Sequence, residues 1–318
     1  MTYSSGGVIA AADYNTFVGT SPSSTANQIN TIWAVGNGQY GYGQTPLSQV
    51  SATGLVTATQ WASAINTLNS IKTHQTGSGT GISAPTAGGL ISYLSTFSGA
   101  INTAYSSHLS FNTQGSTTTG SGFNAGFSIG SDATYNAVYA NRTVTFASAD
   151  QARYFFNAGG QINLVITGVS NNDGTSRSTD AVNTIGTYLG GVSAFRATTN
   201  GGRTGTGGTA NTNNTSFGYY NLATSATTTH QVTTSSGTYS GDYAYVQFKT
   251  NSINGGGNGD YGSVITISLG YYSAHNSTGS DTTPVTNDTI NVTVSHRIDV
   301  VYPETTNLSN TWGTVTIA

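Results

Sequence analysis

Few residues in this chain are of the types that do chemistry, and their spacing can be checked against each reaction in turn. Gly126-Phe127-Ser128-Ile129-Gly130 matches the G-x-S-x-G elbow of serine hydrolases. That elbow works only where a parallel α/β sheet turns sharply into a helix and aims the serine. The chain shows no β-α-β alternation, and Gly and Ser are abundant enough to give the match by chance. Gly36-Asn37-Gly38-Gln39-Tyr40-Gly41 and Gly257-Asn258-Gly259-Asp260-Tyr261-Gly262 both match G-x-G-x-x-G. A dinucleotide fingerprint needs a strand before the motif and a helix after it. The first copy follows a predicted helix and the second leads into a predicted strand, so both read as glycine turns. Asp242 and Asp260 stand in identical Gly-Asp-Tyr contexts and would be the pair to weigh for glycoside hydrolysis. If each begins one strand of a hairpin, they sit at opposite ends, about 25 Å apart at ~3.3 Å per residue. Glycosidase carboxylates stand roughly 5–9.5 Å apart. The single Glu, Glu304, follows Pro303 without an acidic neighbour.

Metal chemistry fares no better. His74, His108, His230, His275 and His296 show no H-x-x-x-H spacing, and there is no Cys. Gly255–Asp260 is similar to a calcium-roll repeat but is imperfect and solitary. The sequon Asn141-Arg142-Thr143 matters only on a eukaryotic secretory route. No catalytic, metal-binding or cofactor-binding residue is therefore expected, and no cofactor.

The elements that would position any site fall into two regions. Thr57-Ala58-Thr59-Gln60 has capping-box spacing, and Trp61, Ala64, Ile65, Leu68 and Ile71 follow at helical intervals. Ile29, Ile32 and Trp33 share one face of the 24–35 stretch. Leu90, Ile91, Leu94, Phe97, Ile101, Ala104 and Tyr105 mark a third helix within 87–108. Residues 112–122 (NTQGSTTTGSG) read as a small-polar linker. Beyond them the period becomes two. Ile290–Val300 alternates strictly, as do Tyr243–Lys249 and Ile265–Leu269, with further strands around Val144 and Ile162. Ser148-Ala149-Asp150-Gln151 caps a short helix that Gly159-Gly160 stops. Asn200–Thr215 and Asn251–Gly259 read as loops. The expectation is an α+β, mainly β chain: a helical N-terminal docking domain (1–111), a linker (112–122) and an antiparallel β-sandwich or jelly-roll-like domain (123–318).

Composition limits the function classes. Lys and Arg number 8 and Asp and Glu 11, so only 6% of 318 residues are charged, against about 25% in ordinary soluble domains. Without a basic cluster, nucleic acid is not an expected partner. No apolar run is long enough for membrane insertion. Met1–Gly7 lacks the basic and apolar segments of a signal peptide, so export through that route is not expected. A neutral hydroxyl- and amide-rich surface with 19 Tyr and 42 Gly suits copies that pack without like-charge repulsion.

Three parts of the sequence carry a resemblance. Ile9-Ala10-Ala11-Ala12-Asp13-Tyr14-Asn15 is one. Trp33–Gln44 (WAVGNGQYGYGQ) with Val56-Thr57-Ala58-Thr59-Gln60-Trp61 is another, and Phe146–Ile162 (FASADQARYFFNAGGQI) is the third. The chain resembles virion structural proteins of tailed phages, of the cyanophage or marine-phage type. The resemblance implies a non-enzymatic neck, collar or tail protein, assembled in the host cytoplasm and located on the particle. It implies other neck or tail proteins as partners, and a homo-oligomer, with a trimer favoured. Trp33, Tyr40, Tyr42 and Trp61 are the candidate docking residues, because aromatic anchors carry disproportionate interface energy; plain core packing is the equal alternative. A receptor-binding fibre or carbohydrate-binding module is the second reading, with Tyr243, Tyr245, Tyr271 and Tyr272 stacking on a host-surface glycan. A capsid decoration protein shares the composition, and a glycan depolymerase comes last.

Overall fold

The structure, a computed structural model, describes residues 10–23, 25–85, 94–130, 134–234, 238–253, 261–273 and 289–318. Leu90, Ile91, His275, all of Gly255–Asp260 and most of the second G-x-G-x-x-G lie outside them.

Helices α1 (Ala11–Val18), α2 (Ile29–Trp33), α3 (Ala58–Thr76) and α4 (Leu94–Ser106) precede the first strand. α3 begins where expected. The Thr57 hydroxyl accepts from Gln60 N–H, and the Gln60 side chain accepts from Thr57 N–H at 2.9 Å. Its end is Gly77, in the left-handed region at φ 80°, where Asn112 leaves no room for a Cβ. Trp61, Ala64, Ile65, Leu68 and Ile71 line its buried face. α1 was not legible: Ala10 gives it no side-chain cap, and Asn15, Thr16 and Val18 are weak helix formers. It forms because Tyr14 and Phe17 pack on Trp61, ring centroids 6.0 Å apart in each case.

The strands are β1 (Gln114–Thr119), β2 (Phe123–Ile129), β3 (Tyr135–Thr145), β4 (Gln161–Asn171), β5 (Gly191–Phe195), β6 (Gly202–Arg203), β7 (Thr209–Asn213), β8 (Thr227–Thr233), β9 (Tyr243–Thr250), β10 (Val264–Ser273), β11 (Ile290–Pro303) and β12 (Thr316–Ile317). α5 (Ala149–Asn157) falls between β3 and β4. After β4 comes α6 (Ser176–Val182), which runs into a π-helical turn, Asn183–Leu189. The strands make two antiparallel sheets, and the chain is mainly β, 33% strand against 26% helix. One sheet has the order β1-β11-β4-β5-β6, with β2 also on β11. The other has β12-β3-β10-β9-β8-β7.

The expected linker at 112–122 is corrected in part: 114–119 is β1, paired with β11. Its threonines favour extended backbone, and a linker and an exposed edge strand share the same small-polar composition. The loop expected at Asn200–Thr215 likewise contains β6 and β7. α6 and its π turn were missed, because Ser, Thr, Asp and Asn dominate them and rank low as helix formers.

The chain divides into two compact units that differ from simple succession. Unit 1 holds 1–116, 150–160 and 302–313; unit 2 holds 117–149, 161–301 and 314–318. The short helix α5 thus packs with the N-terminal helices. In unit 1, Arg153 Nη2 donates to the Gly36 carbonyl (2.8 Å), and Asn157 Nδ2 to the carbonyls of Gly38 (3.3 Å) and Gly41 (3.1 Å). Tyr154 lies where a Cβ on Gly43 would be. The unit 2 core lies between its sheets. Phe195 of β5 stacks on Phe248 of β9 at 4.5 Å, and Phe127 of β2 meets Tyr135, Tyr139 and Tyr271.

Candidate functional site

The residues expected to dock a partner separate on burial. Trp61 is fully buried, against Tyr14, Phe17 and Phe97, and Tyr42 is 1% exposed. Tyr42 Oη donates to the His108 carbonyl (2.8 Å) and accepts from Gln75 Nε2 (3.1 Å); burial raises its pKa. A ring with no accessible face cannot anchor a partner, so the docking expectation is withdrawn for both, and core packing is what they do. Trp33 and Tyr40 are half-buried. Trp33 Nε1 donates to the Thr45 carbonyl at 2.9 Å. Tyr40 stacks on Tyr105 (4.7 Å) and on His108 (4.0 Å). The hydrogen bond with Tyr105, then burial, pushes the Tyr40 pKa up to about 12. Tyr40 and Tyr42 thus meet at His108, and Trp61 belongs to a different cluster.

The first G-x-G-x-x-G is a structural turn. Its Gly38 and Gly41 take positive φ, and its carbonyls hold Arg153 and Asn157. Ser128 sits within antiparallel β2, one residue before its end and opposite Asn291, not on the strand-turn-helix that an elbow needs. Glu304 has a partner that the sequence did not suggest. His74 Nδ1 donates to its Oε1 at 2.9 Å, while the main-chain amides of Thr306 and Asn307 donate to Oε2. Burial alone would raise the Glu304 pKa, but the hydrogen bonds from Asn307, His74 and Thr306 outweigh it and hold the carboxyl below its usual range. Burial lowers the His74 pKa, with Glu304 opposing. The pair ties the 302–313 segment to α3, and Gln44 ties the same segment to the chain before α3 through Ser309, its amide both accepting from the N–H and donating to the carbonyl at 2.9 Å.

Unit 2 contains a cluster that sequence reasoning missed. Asp242 and Tyr271 are wholly buried and Arg177 is 2% exposed. Tyr271 Oη donates to Asp242 Oδ2 (3.1 Å), Arg177 Nη2 to Ser273 Oγ (2.8 Å), and Thr234 Oγ1 to Asp180 Oδ2 (2.9 Å). Burial raises the Tyr271 pKa well above its ordinary value, and the charges of Asp242 and Asp180 add to this while Arg177 opposes it. With Asp242, Tyr271 and Ser273 sealed from solvent, the cluster ties α6 to the ends of β8, β9 and β10. Only long-range topology brings Asp180 near Asp242, so no local motif announces it. Among the described residues, no three His, Cys, Asp or Glu could hold a metal ion, and no helix is long and apolar enough to cross a membrane.

The four tyrosines expected to stack on sugar also separate. Tyr271 faces the core. Tyr245 is 7% exposed and lies over Gly270, its cross-strand partner, where any Cβ would collide with its ring. Both are corrected to packing residues. Tyr243 and Tyr272 are half-buried cross-strand partners, stacked at 4.6 Å and 13° on the opposite face from Tyr271. Along that face Gln247 Nε2 donates to Thr228 Oγ1 at 3.0 Å.

Comparison of the chain with protein families, curated proteins and solved structures returned no match.

Proposed function

We propose that this chain is a structural component of a tailed-phage virion, an accessory neck, collar or tail protein without catalytic activity. Unit 1 would dock to the particle and unit 2 would present its sheets outward or to other copies. One observation carries the reading. The segments that resemble virion proteins, scattered between residues 9 and 162 in sequence, lie largely in one compact unit, where 36–43 is latched onto α5 by Arg153, Tyr154 and Asn157, with 146–149 and 161–162 in the other. The likeness therefore attaches to a folded body rather than to unrelated stretches. A surface with 6% charged residues supports the same reading, because virion subunits pack closely against copies and neighbours. The test is to purify the particles of the virus that encodes the chain and image them. The chain should copurify in a fixed multiple per particle, at the neck or tail. Recovery only in the particle-free fraction would overturn the assignment. Substituting Ser128 or Asp242 should abolish no hydrolysis of esters or glycans.

The glycan-binding reading is favoured by the Tyr243–Tyr272 pair alone. Two stacked rings beside neutral amides and hydroxyls suit a neutral sugar. Binding of a host glycan that is lost in Tyr272→Ala would support it.

A further inference from the structure

The two sheets end at four edges, and the edges are not alike. An unpaired edge strand is a template for another strand, and proteins blunt it by brevity, charge, proline or a bulge. β12 has two residues and pairs with β3 only at Val144 and Thr145, and β3 itself carries Arg142 along that edge; β6 has two residues and carries Arg203. β7 has five residues and is broken by a register shift between Ala210 and Thr212. The fourth edge has none of these devices. There the chain from 114 to 129 runs along β11 as β1 and then β2, without one Lys, Arg, Asp, Glu or Pro. The β2–β11 ladder runs without a register shift from Ile290↔Ile129 to His296↔Phe123. Among the described residues, no strand pairs with the outer side of β1 or β2.

We infer that β2 is an assembly contact, and that its occupant is β2 of a second copy, antiparallel across a twofold axis. Charge selects this partner. Two identical strands without charged residues of their own approach without repulsion between them, and Arg142 of β3, whose guanidinium lies over the Phe123 ring, is already engaged by His296. Shape agrees. Asn124, Gly126 and Ser128 are exposed and small, so a second strand can reach the ~4.8 Å ladder spacing. Phe127 and Ile129 are already buried, so pairing disturbs no core. A twofold contact is self-complementary and closes. The inference deepens only the homo-oligomer part of the proposed function and rests on that part. The virion assignment is tested on particles, so either can fail without the other.

The full chain is the material for the test. Sedimentation equilibrium up to roughly 100 µM, well inside the range where specific contacts associate, should show dimers or even multiples. The double variant Gly126→Lys/Ser128→Lys defends the edge. A Cβ on Gly126 would meet only Val292 and Thr293 at ordinary distances of 3.6 and 3.7 Å, so the monomer fold should survive, as circular dichroism will show. Its dissociation constant should rise about tenfold or more. The chain has no Cys, so one introduced thiol reports alone. Asn124→Cys, Gly126→Cys and Ser128→Cys, singly and in pairwise mixtures, should give a disulfide-linked dimer in at least one case, since paired residues fall within disulfide reach. Val138→Cys, exposed in the other sheet, should not. A persistent monomer, a closed trimer, or a double variant that associates as tightly as the parent would each overturn the inference.

Discussion

The two units bury their polar groups in different ways. In unit 1, side-chain amides and guanidinium bind main chain. Asn30 Nδ2 donates to the carbonyls of Gly19 and Leu47 at 2.9 Å each, and its Oδ1 accepts from Leu47 N–H. Asn15 does the same for both main-chain groups of Val50. In unit 2, side chains also bind each other across elements, beside main-chain bonds such as those of Asn200 Nδ2 to the Asn214 and Phe217 carbonyls. His230 reaches Asn200 and Thr229, Arg142 reaches His296, and Thr184 reaches Thr234. The cause is the backbone. Short helices and long connections leave main-chain donors and acceptors unpaired in unit 1, and each buried one must find a partner. Sheet ladders satisfy much of the backbone of unit 2, which leaves more of its polar side chains to set the alignment of one element on another.

All three tryptophans, Trp33, Trp61 and Trp312, lie in unit 1, so their fluorescence follows that unit alone. The largest expected effect is Trp61→Ala. Removing a fully buried indole should cost about 3–5 kcal/mol, read as an earlier denaturant transition in the remaining tryptophan signal. A cost below ~1 kcal/mol would put Trp61 back among the surface anchors. Asn30→Leu comes next. It strands two carbonyls and one amide in a fully buried place, for a loss on the order of 3 kcal/mol in the same transition. If the loss is no greater than for an exposed Asn, unit 1 is not held by such latches.

A pH measurement probes the side-chain networks of unit 2. Burial, aided by the Arg203 charge, lowers the His230 pKa to about 4. The unfolded value is near 6.5, so the group stabilises fully above about pH 6.5 and that contribution fades as pH falls toward 4. At pH 4.5 the parent should have lost on the order of 2–3 kcal/mol that His230→Gln does not lose. Equal acid sensitivity in the two proteins would show that His230 is not held neutral by its surroundings.

How far the sequence foretold all this depends on the range of the interaction. α3 was legible because its cap and its apolar stripe are local. β9, β10 and β11 were legible because period two survives in Tyr243–Lys249, Ile265–Leu269 and Ile290–Val300. The pairing of β9 with β10, which the sequence allowed only as a supposition, is antiparallel in the structure. What failed is nonlocal. Nothing near Arg153 says that it closes onto Gly36, 117 residues away, and nothing near Glu304 points to His74. α1 and α6 carry weak local preference and exist through packing made elsewhere, helped in α6 by the local Thr175 cap. The docking aromatics were ambiguous for a related reason. A tryptophan that anchors a partner and one that anchors a core look alike until burial is known.

The smallest expected effect concerns the pair that bridges the two sheets of unit 2. Arg142 Nε donates to His296 Nε2 at 2.9 Å, and the guanidinium lies 4.0 Å over the Phe123 ring. Since the arginine can only donate, Nε2 must be the unprotonated nitrogen, which leaves Nδ1–H to donate to the Val294 carbonyl at 3.3 Å. Burial lowers the His296 pKa first; the Val294 bond opposes this, and the Arg142 charge lowers it further. Arg142→Met keeps an apolar side chain over Phe123 and removes the charge and the donor. Stability at pH 7 should drop by about 1 kcal/mol, the usual size of one such contact. The His296 pKa should rise, yet stay below the free value, because burial still disfavours the imidazolium. An imidazole titration followed by NMR separates the contributions. A His296 pKa that does not move would mean that Arg142 spends its time in solvent, and that the sheets of unit 2 are aligned by their apolar faces alone.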